Sequence, residues 1–111
     1  MTNLTVVLER NTVARGELVT EPYEAGWAHE AIFFIHSLDE LHSDWTAQVQ
    51  ISADGLTWCD LDDGGENLKR TGVTPLRINN FGTWLRLVLR ARDTEDRLRC
   101  LVTFTGKGSS W

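Results

Sequence analysis

The chain has 111 residues, 41% hydrophobic and 24% charged, which is typical of one globular domain and excludes a disordered, collagen-like or low-complexity segment. Its formal net charge of −5 argues against nucleic-acid binding, because proteins that neutralise phosphates present a basic surface. The longest apolar run, residues 31–35, is far shorter than the ~18 residues of a membrane-spanning helix. We therefore expect no nucleic-acid or membrane partner, and a single domain over residues 1–106 with a short tail at 107–111.

The N-terminal residues show no basic stretch followed by an apolar core, so we expect no secretory signal peptide. We therefore expect the protein in the cytoplasm or in a virion-like particle. In such an environment Cys59 and Cys100, which both lie within predicted strands, are expected to be reduced core thiols rather than a disulfide.

Short segments of alternating apolar and polar residues, which have the period of a β-strand, follow one another along the chain. In chain order the predicted strands cover residues 4–9, 16–20, 30–36, 45–52, 57–61, 73–79, 83–92 and 97–105. Because Pro75 cannot donate to a sheet ladder, its strand is predicted to lie at an edge or to contain a bulge. No segment has a helical period, so the pattern predicts an all-β fold, an antiparallel β-sandwich of the jelly-roll type.

Turn residues separate these strands. Asn11 and Gly16 bracket the predicted turn between the first two strands. Asp54-Gly55 predicts a tight hairpin turn, because glycine tolerates a positive φ angle. Residues 93–96 are predicted to join the last two strands as a hairpin.

Arginine is concentrated on the face of this last predicted hairpin that lies opposite its core leucines. The arginines concerned are Arg86, Arg90, Arg92, Arg97 and Arg99. Like charges opposite one another destabilise a sheet unless other groups compensate them. Local acidic residues and solvent would suffice, and so would an acidic partner surface such as a second copy of this chain.

The strand over residues 30–36 is apolar on both faces, and in an antiparallel fold such a strand must be covered twice. The second sheet is one cover. The other is the Trp27 loop, the tail that carries Trp111, or a neighbouring subunit, which we favour. The predicted interface residues are accordingly Phe33, Ile35, Arg86, Arg90, Arg92, Arg97, Arg99 and Trp111.

Residues 60–67 concentrate acidic side chains in one predicted loop. Calcium binds such clusters, but the spacing of the acids departs from that of an EF-hand loop, and a solvated acidic turn is favoured. The histidines do not form a close-spaced pair of the kind zinc sites use. No nucleophile elbow or phosphate-binding glycine loop is present. We therefore expect a protein that is not an enzyme and that holds neither a metal nor a cofactor.

The segment from Ser52 to Trp58 has the pattern S-x-D-G-x-T-W, and its short polar side chains can accept hydrogen bonds from the turn amides. This hairpin resembles that of discoidin-like, galactose-binding-like jelly rolls. The resemblance continues through Trp84-Leu85-Arg86-Leu87 and a closing strand that ends in Thr-Gly-Lys, so it covers residues 45–107. Similar hairpins occur in small β-sandwich proteins of phage virions. The resemblance implies a jelly-roll fold and a sugar or other small ligand held at loop tips.

Two functions follow as expectations. The first is a self-associating structural or interaction protein within a larger assembly of the phage-derived kind, whose partners are further copies or other protein subunits. The second, implied by the resemblance, is a carbohydrate- or small-ligand-binding module. Its expected site residues are Tyr23, Trp27, Asp62, Asp63, Glu66 and Asn67.

Overall fold

The computed structural model of the chain describes residues 2–61, 65–79 and 81–108, with side chains from Leu4 onward. The described part consists of strands, turns and irregular segments. The strands are β1 (Thr2–Arg15), β2 (Glu17–Val19), β3 (Tyr23–Glu24), β4 (Glu30–Ser37), β5 (Trp45–Ser52), β6 (Cys59–Asp60), β7 (Glu66–Asn67), β8 (Gly72–Asn79), β9 (Trp84–Ala91) and β10 (Arg97–Gly108).

Two antiparallel sheets pack face to face. The four-stranded sheet has the order β1-β10-β4-β8, and the six-stranded sheet has the order β2-β9-β5-β6, with β3 on β9 and β7 on β5. β3 and β7 are short additions to the second sheet. When these two are left out and the remaining eight strands are renumbered from 1 to 8 in chain order, the strand orders of the two sheets are 1-8-3-6 and 2-7-4-5. This is the strand order of a jelly roll, so the predicted fold class is confirmed.

The core lies between the two sheets and is built from alternate residues of each strand. In β5, Trp45, Ala47 and Val49 are buried while their neighbours face outward. In β10, the buried residues Leu98, Cys100, Val102 and Phe104 alternate in the same way. The period-two pattern therefore identified the inward face of these strands correctly.

Neither of the two predicted terminal hairpins forms. β1 continues through Asn11, which adopts a φ of 53°, and ends at Arg15, with bulges on either side of Glu9. The chain then crosses at Gly16 to the other sheet, where β2 pairs with β9. β9 and β10 also lie in different sheets, because β9 pairs with β5 whereas β10 pairs with β1 and β4.

The predicted arginine surface is consequently wrong. Arg86 and Arg90 lie on the outer face of the six-stranded sheet, and Arg97 and Arg99 belong to the four-stranded sheet. Since the two sheets face away from each other on their outer sides, these arginines do not share one surface. Arg92 follows β9 in the loop between the sheets.

Two smaller expectations also need correction. Cys59 is exposed on the short strand β6, so only Cys100 is a core thiol; both cysteines are free. The predicted tail at 107–111 begins too early, because β10 continues to Gly108. Pro75, by contrast, does lie on an edge strand, β8, as predicted.

Candidate ligand-binding groove

A groove of about 360 Å³ lies on the outer face of the four-stranded sheet, at one end of β10, β4 and β8. The register places two rows of side chains across these strands. Lys107, Glu30 and Asn79 form the outer row, and Thr105, Ile32 and Arg77 form the inner row. Volumes of this size suit a small ligand in a cleft lined by apolar surface and a few polar groups.

Four of the five polar side chains that line the groove have no partner within the described residues; the fifth, Thr105, shares a hydrogen bond with the hydroxyl of Thr5 at 3.1 Å. Within the described ranges, the side chains of Glu30, Arg77, Asn79 and Lys107 make no hydrogen bond or ion pair, and all four residues are exposed. Glu30 lies on the strand between the two cations, yet it is not paired with either of them. One carboxylate, one amide and two cations are therefore available to a ligand.

An apolar surface continues from the floor of the groove. Ile32 forms the floor, and Phe34 lies two residues further along β4, opposite Pro75 of β8. Both Ile32 and Phe34 are half-buried. With Val7 and Val73, which are 41% and 40% exposed, they form what we call the apolar band.

The outer face of the six-stranded sheet differs, because its polar groups bind one another. Arg86 donates from Nε to Gln50 Oε1 at 2.8 Å, and Gln50 Nε2 donates to Asp60 Oδ1 at 3.0 Å. The guanidinium of Arg86 also lies 4.4 Å from the ring centroid of Trp58, a cation–π contact. These contacts tie three strands together, and we interpret them as structural.

The predicted interface residues are dispersed by the fold. Phe33 and Ile35 are 0% exposed and belong to the core, so they are not interface residues of the folded chain. The apolar side chains of β4 that face outward are Ile32 and Phe34. Trp111 lies outside the described residues.

The arginines of the predicted interface mostly have local partners. Arg90 Nε lies 3.5 Å from Glu17 Oε2. Arg99 donates from Nε and Nη2 to both carboxylate oxygens of Asp39, and from Nη1 to Asn11 Oδ1. This paired geometry raises the pKa of Arg99 and lowers that of Asp39. Local acids therefore compensate the charges of Arg90 and Arg99, whereas the side chains of Arg92 and Arg97 pair with no acid among the described residues.

The residues expected to bind a sugar do not form one site. The Tyr23 ring packs inward on Phe104, with 4.9 Å between centroids, and Trp27 packs against the last residues of β10. Glu66 and Asn67 are exposed on β7, which pairs with the beginning of β5. Tyr23 lies beside the end of β5, so these residues are at opposite ends of the sheet. Asp62 and Asp63 lie outside the described residues.

Sequence reasoning missed the groove because its lining comes from three strands that are distant in the chain. The apolar pattern on both faces of β4 was the available signal, since it drew attention to the outward side chains of that strand. The positions of Arg77 and Lys107 beside Glu30 depend on strand pairing, which alternation alone does not specify.

The S-x-D-G-x-T-W segment joins β5 to β6 and is held by its own hydrogen bonds, but the turn is longer than the predicted tight turn, because the last paired residues are Ile51 and Cys59, and the returning strand is shorter than predicted. Asp54 Oδ1 accepts hydrogen bonds from the amides of Leu56 and Thr57, both at 2.8 Å, and from Ser52 Oγ at 2.9 Å. Ser52 Oγ in turn accepts from the Gly55 amide at 2.8 Å. The hydrogen bonds from Thr57, Leu56 and Ser52 lower the pKa of Asp54 to about 2.

In residues 2–61, 65–79 and 81–108, no group of three or more His, Cys, Asp or Glu side chains is arranged to hold a metal ion. The same residues contain no helix long and apolar enough to cross a membrane.

No protein-family model matches the chain, and no curated protein matches it. Among solved structures, the chain is similar to a chain of the Clostridium thermocellum endo-1,4-β-D-xylanase 10B that contains CBM22-1 and GH10 modules and was solved in complex with xylohexaose. That match has a TM-score of 0.51 and 14% identity, and it covers 81% of this chain but 20% of the xylanase chain. A second structure, PirA, has a TM-score of 0.49 and 14% identity over 94% of this chain and 91% of its own. At these identities the similarity shows the β-sandwich fold alone.

Proposed function

We propose that this chain is a non-enzymatic binding module that holds a short oligosaccharide in the groove of its four-stranded sheet. The observation that carries the proposal is the set of unpartnered side chains Glu30, Arg77, Asn79 and Lys107 around the apolar floor at Ile32. On the other sheet, by contrast, Arg86 and Gln50 bind each other within the protein. A few polar groups that converge on an apolar groove are typical of a ligand site.

The chemistry of the groove suits sugar rings. Sugar hydroxyls are both donors and acceptors, and Glu30 accepts, the two cations donate, and Asn79 does both. The C–H face of a sugar ring is apolar and can lie on Ile32, and a ligand that extends beyond the groove along β4 meets Phe34 next. The fold shared with a chain that was solved in complex with xylohexaose is compatible with this function.

The test is a calorimetric titration, in which a panel of soluble oligosaccharides is added to the isolated chain and the heat of binding is measured. We expect binding that Asn79→Ala weakens about fivefold to tenfold, because it removes one or two hydrogen bonds. The matched control is Asn67→Ala, which removes an exposed amide far from the groove and should leave binding unchanged. A folded chain that binds no member of the panel would overturn the proposal.

The apolar band favours a second candidate function, self-association as a subunit of a larger assembly. Exposed apolar patches commonly mark interfaces, and Val7, Phe34 and Val73 lie on the same outer face. If the band is an interface, light scattering will detect a dimer or larger species that Phe34→Ser dissociates. Leu56→Ser is the control, since Leu56 is 85% exposed on the other sheet's hairpin. A strict monomer at high concentration would contradict this candidate.

A further inference from the structure

The two cations of the groove occupy diagonal corners of its lining. Arg77 lies on β8 in the row of Ile32, and Lys107 lies on β10 in the row of Glu30. They are two strands apart across the sheet and two residues apart along it. With strand spacings near 4.8 Å and a rise near 3.4 Å per residue, their Cα atoms are about 12 Å apart. Both side chains are long enough to reach a ligand lying between them.

The charge balance of the groove is opposite in sign to that of the whole chain. The chain carries −5, whereas Arg77, Lys107 and Glu30 together leave the groove at +1. Elsewhere among the described residues, Arg15, Arg70, Arg90 and Arg99 pair with acidic side chains, whereas Arg10, Arg92 and Arg97 do not. Arg77 and Lys107 do not pair, although Glu30 lies on the strand between them. Their charge is therefore free to bind an anionic group.

From this arrangement we infer that the groove selects acidic saccharides, in which a uronic acid carboxylate binds Arg77 or Lys107. The inference rests on the proposed function, because it specifies which sugars that same groove takes. A guanidinium binds a carboxylate through two parallel hydrogen bonds, which gives both affinity and orientation. Glu30 then accepts hydrogen bonds from the sugar hydroxyls, while the ligand's carboxylate is bound by a cation.

The negative charge of Glu30 also disfavours ligands that carry more than one negative charge per group. A phosphate near neutral pH carries up to two negative charges and would lie close to this carboxylate, which repels it. A carboxylate carries one charge, and its sugar ring brings the hydroxyl donors that a carboxylate side chain needs. The mixed lining of two cations, one anion and one amide thus fits a monoanionic sugar unit better than a phosphorylated one.

The experiment compares oligosaccharides that differ only in charge. Trimers of galacturonic, glucuronic and mannuronic acid are titrated into the folded chain by calorimetry, each beside its fully methyl-esterified form. At low salt we expect at least one acid to bind about tenfold or more tightly than its ester, because a charge-assisted hydrogen bond is lost in the ester. Raising the salt concentration should reduce this difference.

Substitutions of the two cations test whether they cause the preference for the acid. At least one of Arg77→Ala and Lys107→Ala should remove most of the preference for the acid over the ester; if it is Arg77→Ala, Arg77→Lys should retain part of the preference. Lys69→Ala is the control for Lys107→Ala, since Lys69 is the other lysine of the chain and is exposed away from the groove. Melting temperatures confirm that each variant is folded.

The outcomes separate the inference from the proposed function. Equal binding of acid and ester overturns the inference and leaves the oligosaccharide module standing. A preference that survives both alanine variants overturns the inference too, because the carboxylate then binds elsewhere. If neither these trimers nor the neutral panel bind, the proposed function fails, and the inference fails with it.

Discussion

The indole of Trp45 donates a hydrogen bond from Nε1 to Asp96 Oδ2 at 2.8 Å, inside the sandwich. Trp45 begins β5 of the six-stranded sheet, and Asp96 directly precedes β10 of the four-stranded sheet. The same oxygen accepts from the amides of His42 and Ser43, and Asp96 Oδ1 accepts from the amide of Arg97. One carboxylate that is 6% exposed therefore joins the two sheets.

Removing this carboxylate should be strongly destabilising. Asp96→Ala leaves a buried indole N–H and three backbone amides without their acceptor, and we expect a loss of about 2–4 kcal/mol in the free energy of unfolding. Trp45→Phe leaves the carboxylate with its three amide donors, so it should cost less. Urea denaturation measures both, with the exposed Glu95→Ala as control. A loss at Asp96 no larger than that at Glu95 would contradict the assigned role.

The stability of the fold should fall in acid through its hydrogen-bonded carboxylates. Burial alone would raise the pKa of Asp96, but its hydrogen bonds to Trp45, Ser43, Arg97 and His42 outweigh burial and lower it. A carboxyl whose folded pKa is depressed stabilises fully above its unfolded value of about 3.8, and this stabilisation is lost as pH falls through the folded value. For Asp54, that window runs from 3.8 down to about 2.

We therefore expect denaturation midpoints to drop between pH 4 and pH 2, and to drop less in Asp96→Asn, which has no carboxyl to protonate there. The comparison requires midpoints for the parent chain and the variant across the same buffers. An identical pH slope in both proteins would show that Asp96 does not contribute to acid sensitivity.

Gly16 and Gly72 both have positive φ angles, but only Gly16 lies close to another part of the backbone. Alanine substitutions at the two positions therefore distinguish the cost of backbone strain from the cost of steric overlap. A Cβ at Gly16, φ +76°, would lie 2.6 Å from the carbonyl oxygen of Thr94, whereas a Cβ at Gly72, φ +90°, meets nothing within 4 Å. Gly72→Ala should cost about 1–2 kcal/mol from backbone strain alone. Gly16→Ala should cost at least about 1 kcal/mol more, because the backbone oxygen must move. Equal losses in urea denaturation would rule out the close approach at the crossing between sheets.

The two cysteines should differ in reactivity. Cys59 is exposed, whereas burial and the nearby charge of Glu9 raise the pKa of Cys100 to about 11. Since the thiolate is the reactive form, a thiol reagent at pH 8 should modify one equivalent in the native chain and two after unfolding. In Cys59→Ser the native chain should not react. Rapid modification of two thiols in the native protein would contradict the burial of Cys100.

Much of the fold could be predicted from alternation and turn chemistry. The buried face of β5, the positive φ angle of Gly55 and the edge position of Pro75 all follow from local residue patterns, because each depends on the residue itself or on its neighbours in the chain. The exposed position of Cys59 was missed, since a two-residue strand at a sheet edge buries neither face.

The sequence by itself determined the approximate positions of the longer strands, the inward faces of β5 and β10, and that the strands form a sandwich. It did not determine the inward face of β4, because Phe33 and Ile35 were predicted to lie at an interface and are buried in the core. Only the tertiary structure decided which strands lie side by side. It placed β9 and β10 in different sheets and so separated Arg86 and Arg90 from Arg97 and Arg99. It also brought Arg77 and Lys107 to either side of Glu30. The physical reason is that a period of two specifies the face on which a side chain lies but not its partner strand, and a groove across three strands exists only once those partners are chosen.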